Sequence, residues 1–243
     1  MVKISIITIC YNAAETIVPT LKSVQEQTYR NIEYIVIDGA SKDDTLDWVR
    51  QYTPQAIITS EPDRGLYDAM NKGIRKATGD YLWFLNAGDS LRTPTTVEEV
   101  ALQIEKNHTP NTPDIVYGDT MIVDSQRKDI SLRRLRPPKT LKKEDFLKGM
   151  LVCHQAFIVS RRIALPYNLN YRLSSDFDWC IRMLARSQHN LWIDAVIVNY
   201  LEGGLSHKHH LNSLIERFHI MRKEFGLLPT LLAHLSFIFI RKR

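Results

Sequence analysis

The first half of the chain alternates short runs of β-branched and aromatic residues with segments long enough to form helices. The runs predict strands at 3–9, 32–37, 55–59 and 80–85, and the segments between them predict helices near 14–27, 43–52, 66–77 and 94–107. Strands that are almost continuously apolar belong to sheets that are buried on both faces. Their alternation with helices is typical of a parallel sheet. We therefore predict an α/β domain with a Rossmann-like, mostly parallel central sheet and helices on both faces.

Beyond residue 110 the alternation is weaker, but further elements are still predicted. They are strands at 114–117, 119–124, 156–160 and 195–201 and a helix near 175–187. No internal repeat with a period of about 20–50 residues is present. A chain of 243 residues suits one large domain or two small ones. We predict one domain over 1–206, composed of the halves 1–110 and 111–206.

The last segment, 207–243, is predicted to be a helical tail that is both basic and apolar. A helix is expected near 207–225, and fourteen mostly apolar residues at 227–240 precede a basic terminus, Arg241-Lys242-Arg243. A helix that spans a bilayer needs about 20 residues. The apolar stretch is shorter, but it can lie in the bilayer interface with its basic end on lipid headgroups. A helix packed on the domain, or a contact between the subunits of a homodimer, is the alternative.

The net charge of +5 is distributed unevenly along the chain. Residues 126–148 carry nine Lys or Arg and three Asp or Glu, and residues 207–243 carry seven and two, which leaves a net charge of −6 on the rest. Concentrated basic segments suit phosphate groups or an anionic membrane surface. A solvated loop and a basic tail remain the alternative. The candidate site residues lie mainly in the acidic remainder, so nucleic acid is not an expected partner.

Composition and cysteine usage indicate a globular protein of the cytoplasm. A hydrophobic fraction of 44% and a charged fraction of 24% exclude disordered and fibrous classes. Three cysteines, Cys10, Cys153 and Cys180, are odd in number and do not suggest a disulfide framework. The segment 3–9 has a strand pattern and lacks the apolar core and cleavage site of a signal peptide.

Polar residues follow each predicted strand of the first half. These residues are Tyr11 and Asn12, Asp38, Ser60 to Asp63, and Asn86 to Asp89. In sheets of this type, ligands bind beyond the carboxyl ends of the strands. A carboxylate such as Asp38 can accept hydrogen bonds there from a base or a ribose. Taken alone, however, Asp38 is more often a turn residue.

The block after the third predicted strand adds further candidates. Asp63 follows the strand, and Gly65 lets the backbone turn before the next helix. On that helix Asp68 and Lys72 are one turn apart, which predicts an ion pair between them.

Two groups of residues could serve a metal ion. Asn86 and Asp89 offer an amide and a carboxylate, whose oxygens suit Mg²⁺ or Mn²⁺ bridging two phosphates. The same residue types are ordinary in a turn. A late cluster of His207, His209 and His210 could supply a further ligand, although a solvated helix start is the better interpretation.

A pair of carboxylates begins the helix predicted near 175–187. Asp176 and Asp178 are two residues apart and therefore point in different directions, so at most one of them faces a site. We expect Asp176 to be a general base and Asp178 to have a structural or helix-start role. An N-cap is the alternative for Asp176.

Taken in order, these motifs resemble those of the family 2 glycosyltransferases, particularly bacterial enzymes of capsule, exopolysaccharide and O-antigen assembly. The matching segments are Ser5 to Thr8 with Tyr11-Asn12, Ile37 to Thr45, Ser60 to Gly65, Asn71 to Gly73, Ala77 to Asp80, Asn86 to Asp89 and Ser175 to Trp179. The resemblance is continuous over 3–92 and resumes over 153–206. It implies a GT-A fold.

The resemblance also implies an activity. It indicates an inverting enzyme that moves one sugar from a nucleoside-diphosphate sugar to a hydroxyl of a lipid-linked saccharide, with Mn²⁺ or Mg²⁺ as cofactor. The implied setting is cell-surface polysaccharide synthesis at the inner face of the cytoplasmic membrane. The Gln-x-x-Arg-Trp run of processive synthases is absent from the chain, which favours single-sugar transfer.

Roles carry over one position at a time. Asp38 matches the acid that reads the nucleotide base, Asp89 the final acid of the metal motif, and Asp176 the catalytic base. The other implied contacts to the donor nucleotide are Thr8, Tyr11, Asn12, Asp63, Gly65 and Lys72, with Asn86 and His207 as further candidates.

The chain departs from the family in its metal motif. Members usually have Asp-x-Asp-Asp where this chain has Asn86-Ala87-Gly88-Asp89, so two carboxylates are missing. Metal binding would then rest on Asp89 and the diphosphate oxygens. A non-catalytic relative that only binds a sugar nucleotide is therefore the main alternative. No glycine-rich loop follows the first strand, which argues against a nucleotidyltransferase and a nicotinamide-dependent dehydrogenase.

Overall fold

The computed structural model describes residues 1–108, 111–203 and 210–240 of the chain. The strands within them are β1 (Ile4–Cys10), β2 (Ile32–Asp38), β3 (Ile57–Ser60), β4 (Tyr81–Phe84), β5 (Ser90–Leu91), β6 (Ile115–Val123), β7 (Asp129–Leu132), β8 (Phe157–Ser160) and β9 (Asn190–Leu201). The helices are α1 (Ile17–Gln25), α2 (Thr45–Tyr52), α3 (Leu66–Lys76), α4 (Thr96–Lys106), α5 (Ser175–Arg186), α6 (His210–Phe225) and α7 (Leu227–Ile240). Two short 3₁₀ helices, Lys143–Lys148 and His154–Ala156, lie between β7 and β8.

The first four strands form the parallel part of the sheet, in the order β3-β2-β1-β4. Strand β1 pairs in parallel with both β2 and β4, and β2 pairs in parallel with β3. Every residue of β1 and β4 is buried, so both faces of the sheet are covered. This arrangement is what the continuous apolar runs require, and it confirms the predicted α/β class for this half.

Beyond β4 the sheet is mixed rather than parallel. It continues as β8-β6-β9-β5, and β7 pairs with the outer part of β6. Strand β8 is antiparallel to its neighbours β4 and β6, whereas β9 runs parallel to β6. The two-residue strand β5 follows the turn after β4 and pairs with the end of β9. One continuous sheet therefore joins the two halves and brings that turn next to β9.

The structure corrects the predicted elements in places where the local pattern was ambiguous. The strands expected at 114–117 and 119–124 are one strand, β6, with its register against β9 shifting near Gly118. A Cβ at Gly118 would lie 2.9 Å from the carbonyl oxygen of Ala195, so the glycine permits a close approach of two strands. Strands β5 and β7 were not predicted, since β5 has two residues and β7 is wholly exposed.

The C-terminal helices pack against the second half of the domain. Helix α6 buries Ile220 and Met221 in the hydrophobic core, and Glu224 lies 3.0 Å from the Nζ atom of Lys143. No described helix has both the length and the apolar composition that crossing a membrane requires. The boundary expected after residue 206 stays a prediction, because residues 204–209 are outside the described ranges.

Helix α3 lies directly against β1 and β2. Gly73 is the point of closest approach, since an added Cβ would lie 2.5 Å from Cγ2 of Ile7. The ordinary shortest contacts of a Cβ are longer than this, so the helix can sit here only because residue 73 has no side chain. This close packing fixes the start of α3 at the carboxyl ends of the parallel strands.

We expect Gly73→Ala to destabilise the protein by about 1–3 kcal/mol, because overpacking against Ile7 outweighs the better helix propensity of alanine. Denaturant unfolding measures the free-energy change. Arg75→Ala, at an exposed position of the same helix, is the matched control and is expected to be nearly neutral. A Gly73→Ala protein more stable than wild type would contradict the proposed contact.

Candidate functional site

A buried carboxylate joins the ends of three parallel strands. Asp38, the last residue of β2, is fully buried, and its Oδ2 accepts hydrogen bonds from the Ser41 backbone N–H at 2.9 Å and from Ser60 Oγ at 2.6 Å. Its Oδ1 accepts from the Ser41 hydroxyl and from Cys10 Sγ at 3.7 Å. A carboxylate has about four acceptor positions, and groups of the chain itself occupy them here. Base reading by Asp38 stays a prediction.

Next to Asp38, the side chains of Tyr11 and Asp63 both come close to Gly39, and the place where they meet is called the Tyr11–Asp63 cleft. Tyr11 follows β1 and leaves 63% of its surface exposed. A Cβ at Gly39 would lie 2.7 Å from Asp63 Oδ2 and 3.2 Å from Tyr11 Cδ2, so residue 39 must lack a side chain for the cleft to exist. Asp63 Oδ1 accepts from the Gly65 N–H at 2.8 Å, which leaves Oδ2 beside Gly39. The Tyr11–Asp63 cleft thus presents an aromatic ring and a carboxylate oxygen together.

Two other residues predicted on the nucleotide side hold neighbouring loops. Thr8 is fully buried, donates to the Leu85 carbonyl at 2.8 Å and accepts from the Tyr34 hydroxyl at 3.0 Å. Asn12 has a left-handed backbone with φ of +46° and accepts from the Lys42 N–H at 2.9 Å through Oδ1. Their roles as donor contacts stay predictions.

Lys72 braces the loop after β3 and does not pair with Asp68 as expected. Its Nζ lies 3.0 Å from Glu61 Oε1 and donates to the Pro62 carbonyl at 2.8 Å. Asp68 instead accepts from the Arg64 backbone N–H at 3.1 Å. The predicted Asp68–Lys72 pair is therefore wrong, because Asp68 lies in the first turn of α3, where unsatisfied backbone N–H groups attract a carboxylate.

The turn formed by residues 86–89 carries a carboxylate in nearly dry surroundings. Asp89 is only 5% exposed; its Oδ1 accepts from the Leu201 N–H at 3.0 Å and its Oδ2 from Gln155 Nε2 at 2.8 Å. Burial raises the pKa of Asp89 to about 7 despite these hydrogen bonds. The Oδ1 atom of Asn86 is buried and has no hydrogen-bond partner in the described part of the chain. The turn thus holds an amide oxygen without a hydrogen-bond partner, on Asn86, and a carboxylate whose two oxygens each accept one hydrogen bond, on Asp89. Oxygen atoms of both kinds can bind a cation.

Asp176 lies in the first turn of α5 with one carboxylate oxygen held in place. Its Oδ1 accepts from the Tyr67 hydroxyl at 3.1 Å and from the Phe177 N–H at 2.9 Å. Both contacts use the same oxygen, which leaves Oδ2 able to accept a proton. Tyr67 belongs to α3, so a helix of the first half orients a carboxylate of the second.

Helix α6 holds the start of α5. The Glu216 carboxylate accepts hydrogen bonds from three consecutive backbone N–H groups, those of residues 172–174, each at 2.9 Å. These residues come immediately before the helix that carries Asp176. A carboxylate of α6 therefore fixes the segment that positions Asp176.

Asp178 faces away from Asp176. It is fully buried, and its Oδ2 accepts from Arg182 Nε at 2.6 Å one turn along the helix. This geometry agrees with the expectation that at most one of the two carboxylates faces a site.

One side chain experiences the charge of both candidate carboxylates. Burial raises the pKa of Tyr200 on β9 above its usual value, and the negative charges of Asp89 and Asp176 raise it further. Asp89 comes from the turn after β4 and Asp176 from α5, so two elements of the fold contribute negative charge that acts on one phenol. His207 and His209 lie outside the described residues.

The model of the family described as Glycosyl transferase family 2 matches residues 5–166. This chain belongs to that family. It is 33% identical over 227 residues to a PGL/p-HBAD biosynthesis glycosyltransferase of Mycobacterium bovis, with 90% of this chain and 82% of the relative covered. It is also 28% identical over 195 residues to the amylovoran biosynthesis glycosyltransferase AmsB of Erwinia amylovora, covering 74% of this chain and 64% of the relative.

Solved structures of glycosyltransferases share the fold. Staphylococcus aureus TarS 1-349 in complex with UDP-GlcNAc matches with a TM-score of 0.74 at 15% identity, covering 97% of this chain and 73% of that one. In the UDP complex of the same protein, this chain spans 65% of the length. The mannosyltransferase PcManGT of Pyrobaculum calidifontis, in complex with GDP-Man and Mn²⁺, matches with a TM-score of 0.65 at 18% identity, covering 96% and 69%. The expected GT-A fold is confirmed.

The resemblance to family 2 implies a divalent metal, and the residues present fit one that is shared with substrate. Among the described residues, no group of three or more His, Cys, Asp or Glu side chains could hold a metal by itself. Asn86 and Asp89 nevertheless provide the hard oxygen donors that Mg²⁺ and Mn²⁺ prefer. Mg²⁺ is commonly bound by one or two carboxylates together with substrate phosphates, so this pair suits a metal that arrives with a diphosphate.

Sequence reasoning missed several residues that contact or support the candidate site. They are Tyr67, Gln155, Tyr200, Glu216 and Arg127, the last of which donates to the Gly88 carbonyl. Each reaches the site from an element distant in sequence. The one available signal was the basic segment 126–148, which contains Arg127.

We expect His154 to make a contribution to stability that is lost in acid. Its ring packs against those of Phe84, Tyr167 and Trp179. Burial lowers the pKa of His154 from 6.5 to about 4, and its Nε2 is 2.6 Å from the Tyr167 hydroxyl. The unfolded chain therefore takes up a proton at higher pH than the folded chain. Stability present above pH 6.5 is lost as pH falls towards 4, by about 3 kcal/mol.

Unfolding free energies of wild type and His154→Gln across this pH range measure the effect. The wild type is expected to lose stability more steeply than the variant, while His219→Gln, at an exposed position, keeps the wild-type slope. Equal slopes for wild type and His154→Gln would contradict the assignment.

Proposed function

We propose that this chain is an inverting glycosyltransferase that moves one sugar from a nucleoside-diphosphate sugar to a hydroxyl of a lipid-linked saccharide. The observation that carries the proposal is that contacts from one short segment, residues 154–155, lead to both carboxylates. Gln155 donates to Asp89, and the neighbouring His154 lies 2.6 Å from the Tyr167 hydroxyl. The Tyr167 ring stacks on that of Tyr67, which donates to Asp176. A buried carboxylate suited to a cation and a half-buried carboxylate with a free oxygen are the two groups that sugar transfer requires. Membership of family 2 supports this assignment.

The Tyr11–Asp63 cleft is the proposed site of the donor nucleotide. The exposed ring of Tyr11 offers a face on which a base can stack, and Gly39 leaves room beside it. Asp63 Oδ2 can accept a hydrogen bond from the base or the ribose. Thr8 and Asp38 are buried on the strands that lead to this cleft, and Asn12 and Gly65 belong to the loops around it. Lys72, on α3, donates to the loop after β3.

Asp176 is the proposed general base. As the acceptor hydroxyl oxygen bonds to the anomeric carbon, its proton passes to Asp176 Oδ2, and the nucleoside diphosphate leaves from the opposite face of the sugar. One displacement inverts the anomeric carbon. A divalent cation, Mn²⁺ or Mg²⁺, held by Asn86 and Asp89 with the diphosphate oxygens, would stabilise charge on the leaving group. Tyr67 and Phe177 orient Asp176 for its step.

The proposed acceptor and cellular role are those of cell-surface polysaccharide and glycolipid synthesis. Two relatives are named for PGL/p-HBAD biosynthesis and for amylovoran biosynthesis, and these names support such a role. An acceptor linked to lipid phosphate would suit a chain with an excess of positive charge.

We further propose that α6 and α7 lie on the inner face of the cytoplasmic membrane. The residues that support this are large apolar side chains exposed on the two helices: Leu211, Leu214, Ile215, Leu227, Leu228, Leu231, Leu232 and Leu235. Contiguous apolar surface of this kind marks a protein or membrane contact. Arg222 and Lys223 are exposed near the junction of the helices and complement anionic headgroups. A homodimer through the same face is the alternative occupant.

A second candidate function is binding of a sugar nucleotide without transfer. Asn86 and Gly88 favour it, because they supply no carboxylate to a metal. A thermal-shift screen of UDP- and GDP-sugars with Mn²⁺ identifies the donor, since a ligand at 100 Kd stabilises the fold by about 2.7 kcal/mol. Assays of transfer and of donor hydrolysis, with and without Mn²⁺, then separate the two functions.

We expect Asp176→Asn to bind the donor as wild type does but to lose transfer by about 10²- to 10⁴-fold, because the amide accepts no proton. Turnover and donor affinity are measured with the sugar nucleotide that the screen identifies. Asp47→Asn, on the exposed face of α2, is the control for handling and folding. Undiminished turnover in Asp176→Asn would remove Asp176 from the role of base.

We expect Leu228→Glu to weaken binding to vesicles of anionic phospholipid at least about tenfold, because a leucine that would insert into the bilayer is replaced by a charge of the same sign as the lipid. Co-sedimentation measures partitioning. Leu102→Glu alters a similarly exposed leucine on α4 and is the matched control. Unchanged partitioning of Leu228→Glu would contradict the membrane contact. A concentration-dependent dimer that the substitution abolishes would assign this face to a second copy of the chain instead.

A further inference from the structure

Hydrogen bonds to Asp124 fix the conformation of the turn between β6 and β7. Asp124 Oδ1 accepts from the backbone N–H groups of Gln126 at 2.8 Å and Lys128 at 2.9 Å. The Arg127 N–H donates to the Asp124 carbonyl at 3.0 Å. One aspartate thus fixes the direction in which residue 127 leaves the turn.

The hairpin is also anchored to the strands beside the turn 86–89. Arg92, directly after β5, donates from Nη1 and Nη2 to the two oxygens of Asp129, each at 2.8 Å. Its Nη1 also donates to Asn199 Oδ1 on β9 at 2.9 Å. A bidentate guanidinium–carboxylate contact fixes the relative orientation of the two side chains as well as the distance between them. The hairpin therefore has a defined position relative to Asp89, which immediately precedes β5.

Arg127 extends from this hairpin to the turn 86–89. Its Nη1 donates to the Gly88 carbonyl, and its charge lies within electrostatic range of Asp89. This contact uses one nitrogen, which leaves Nη2 and Nε for another partner. The backbone of Arg127 has a φ of +66°, a left-handed conformation that a residue with a side chain adopts at a cost. Strain of this kind is retained mainly where function requires a particular position.

The charges of the turn explain what Arg127 can do there. Asp89 is the single carboxylate of residues 86–89, and within the described residues Arg127 is the only basic side chain that hydrogen-bonds to them. A diphosphate brings at least two negative charges to this place. A cation held by one carboxylate and one amide neutralises only part of that charge. A guanidinium matches phosphate oxygens in a fork geometry.

We propose that Arg127 binds the diphosphate of the donor at the turn 86–89. The inference rests on the proposed function, because it assigns a residue to the same donor site. Arg127 supplies positive charge at the turn 86–89, where Asn86 and Gly88 stand in place of two carboxylates that would bind a metal ion. It stabilises the diphosphate both in the bound donor and as the departing group.

The test is titration calorimetry of nucleotide and nucleoside pairs, UDP with uridine and GDP with guanosine, in EDTA and in Mn²⁺. We expect Arg127→Ala to weaken binding of the preferred diphosphate roughly 10- to 100-fold in EDTA, the loss typical of a hydrogen bond to a charged group. Nucleoside affinity is expected to stay unchanged. Arg127→Lys, which retains the charge but not the fork, is expected to recover part of the loss.

Lys128→Ala is the matched control, since Lys128 is exposed on the same turn and is held there through its backbone. Equal diphosphate affinity in wild type and Arg127→Ala would overturn the role of Arg127 and leave the proposed function intact. Parallel losses for nucleoside and diphosphate would also overturn it, because they indicate that Arg127 only supports the loop. A wild-type protein that binds neither UDP nor GDP would overturn the proposed function together with this inference.

Discussion

The buried carboxylate of Asp38 is the constraint on which the donor edge of the molecule depends. Three parallel strands end side by side, and the loops that follow them turn in different directions. A buried carboxylate is costly unless hydrogen bonds fill its acceptor positions, and donors from Cys10, Ser41 and Ser60 fill them. The loops are therefore held to one another through Asp38. The positions of Tyr11 and Asp63 therefore depend on the loops that Asp38 holds together more than on these two residues themselves.

The acceptor edge depends on contacts between segments that are far apart in the chain. Asp176 is held by Tyr67 from α3, while Glu216 from α6 holds the backbone that precedes it. Each contact satisfies a group at the start of α5, where backbone N–H groups have no partner within the helix. A helix that presents exposed leucines to the surroundings is thus bonded to the segment beside the candidate base. A contact made by the exposed face of α6 is therefore connected, through Glu216, to the segment that positions Asp176.

The sequence predicted the parallel half of the fold well because strong apolar periodicity decides it locally. β1, β2 and β4 are buried on both faces, and such strands leave little choice of structure. The order of motifs also singled out Asp89 and Asp176, whose roles at the site stay predictions. It did not reveal that Thr8 is fully buried or that Lys72 pairs with Glu61, because burial and partner choice depend on loops that meet only in three dimensions. β5 and β7 were missed for another reason: β5 has only two residues, and β7 is exposed along its whole length.

The excess of basic residues in the segment 126–148 has a different meaning in the folded chain than in the sequence. Arg136 pairs with the buried Asp119, Lys143 with Glu224, and Lys148 with Asp145. Lys139 lies 5.3 Å from the ring centre of Trp192. Much of the segment's charge is therefore used to join the second half of the domain to α6 and β6. Screening and pairing weaken such charges as a surface field. Arg127 instead hydrogen-bonds to the Gly88 carbonyl of the turn 86–89, and its position is set by a turn and not by composition.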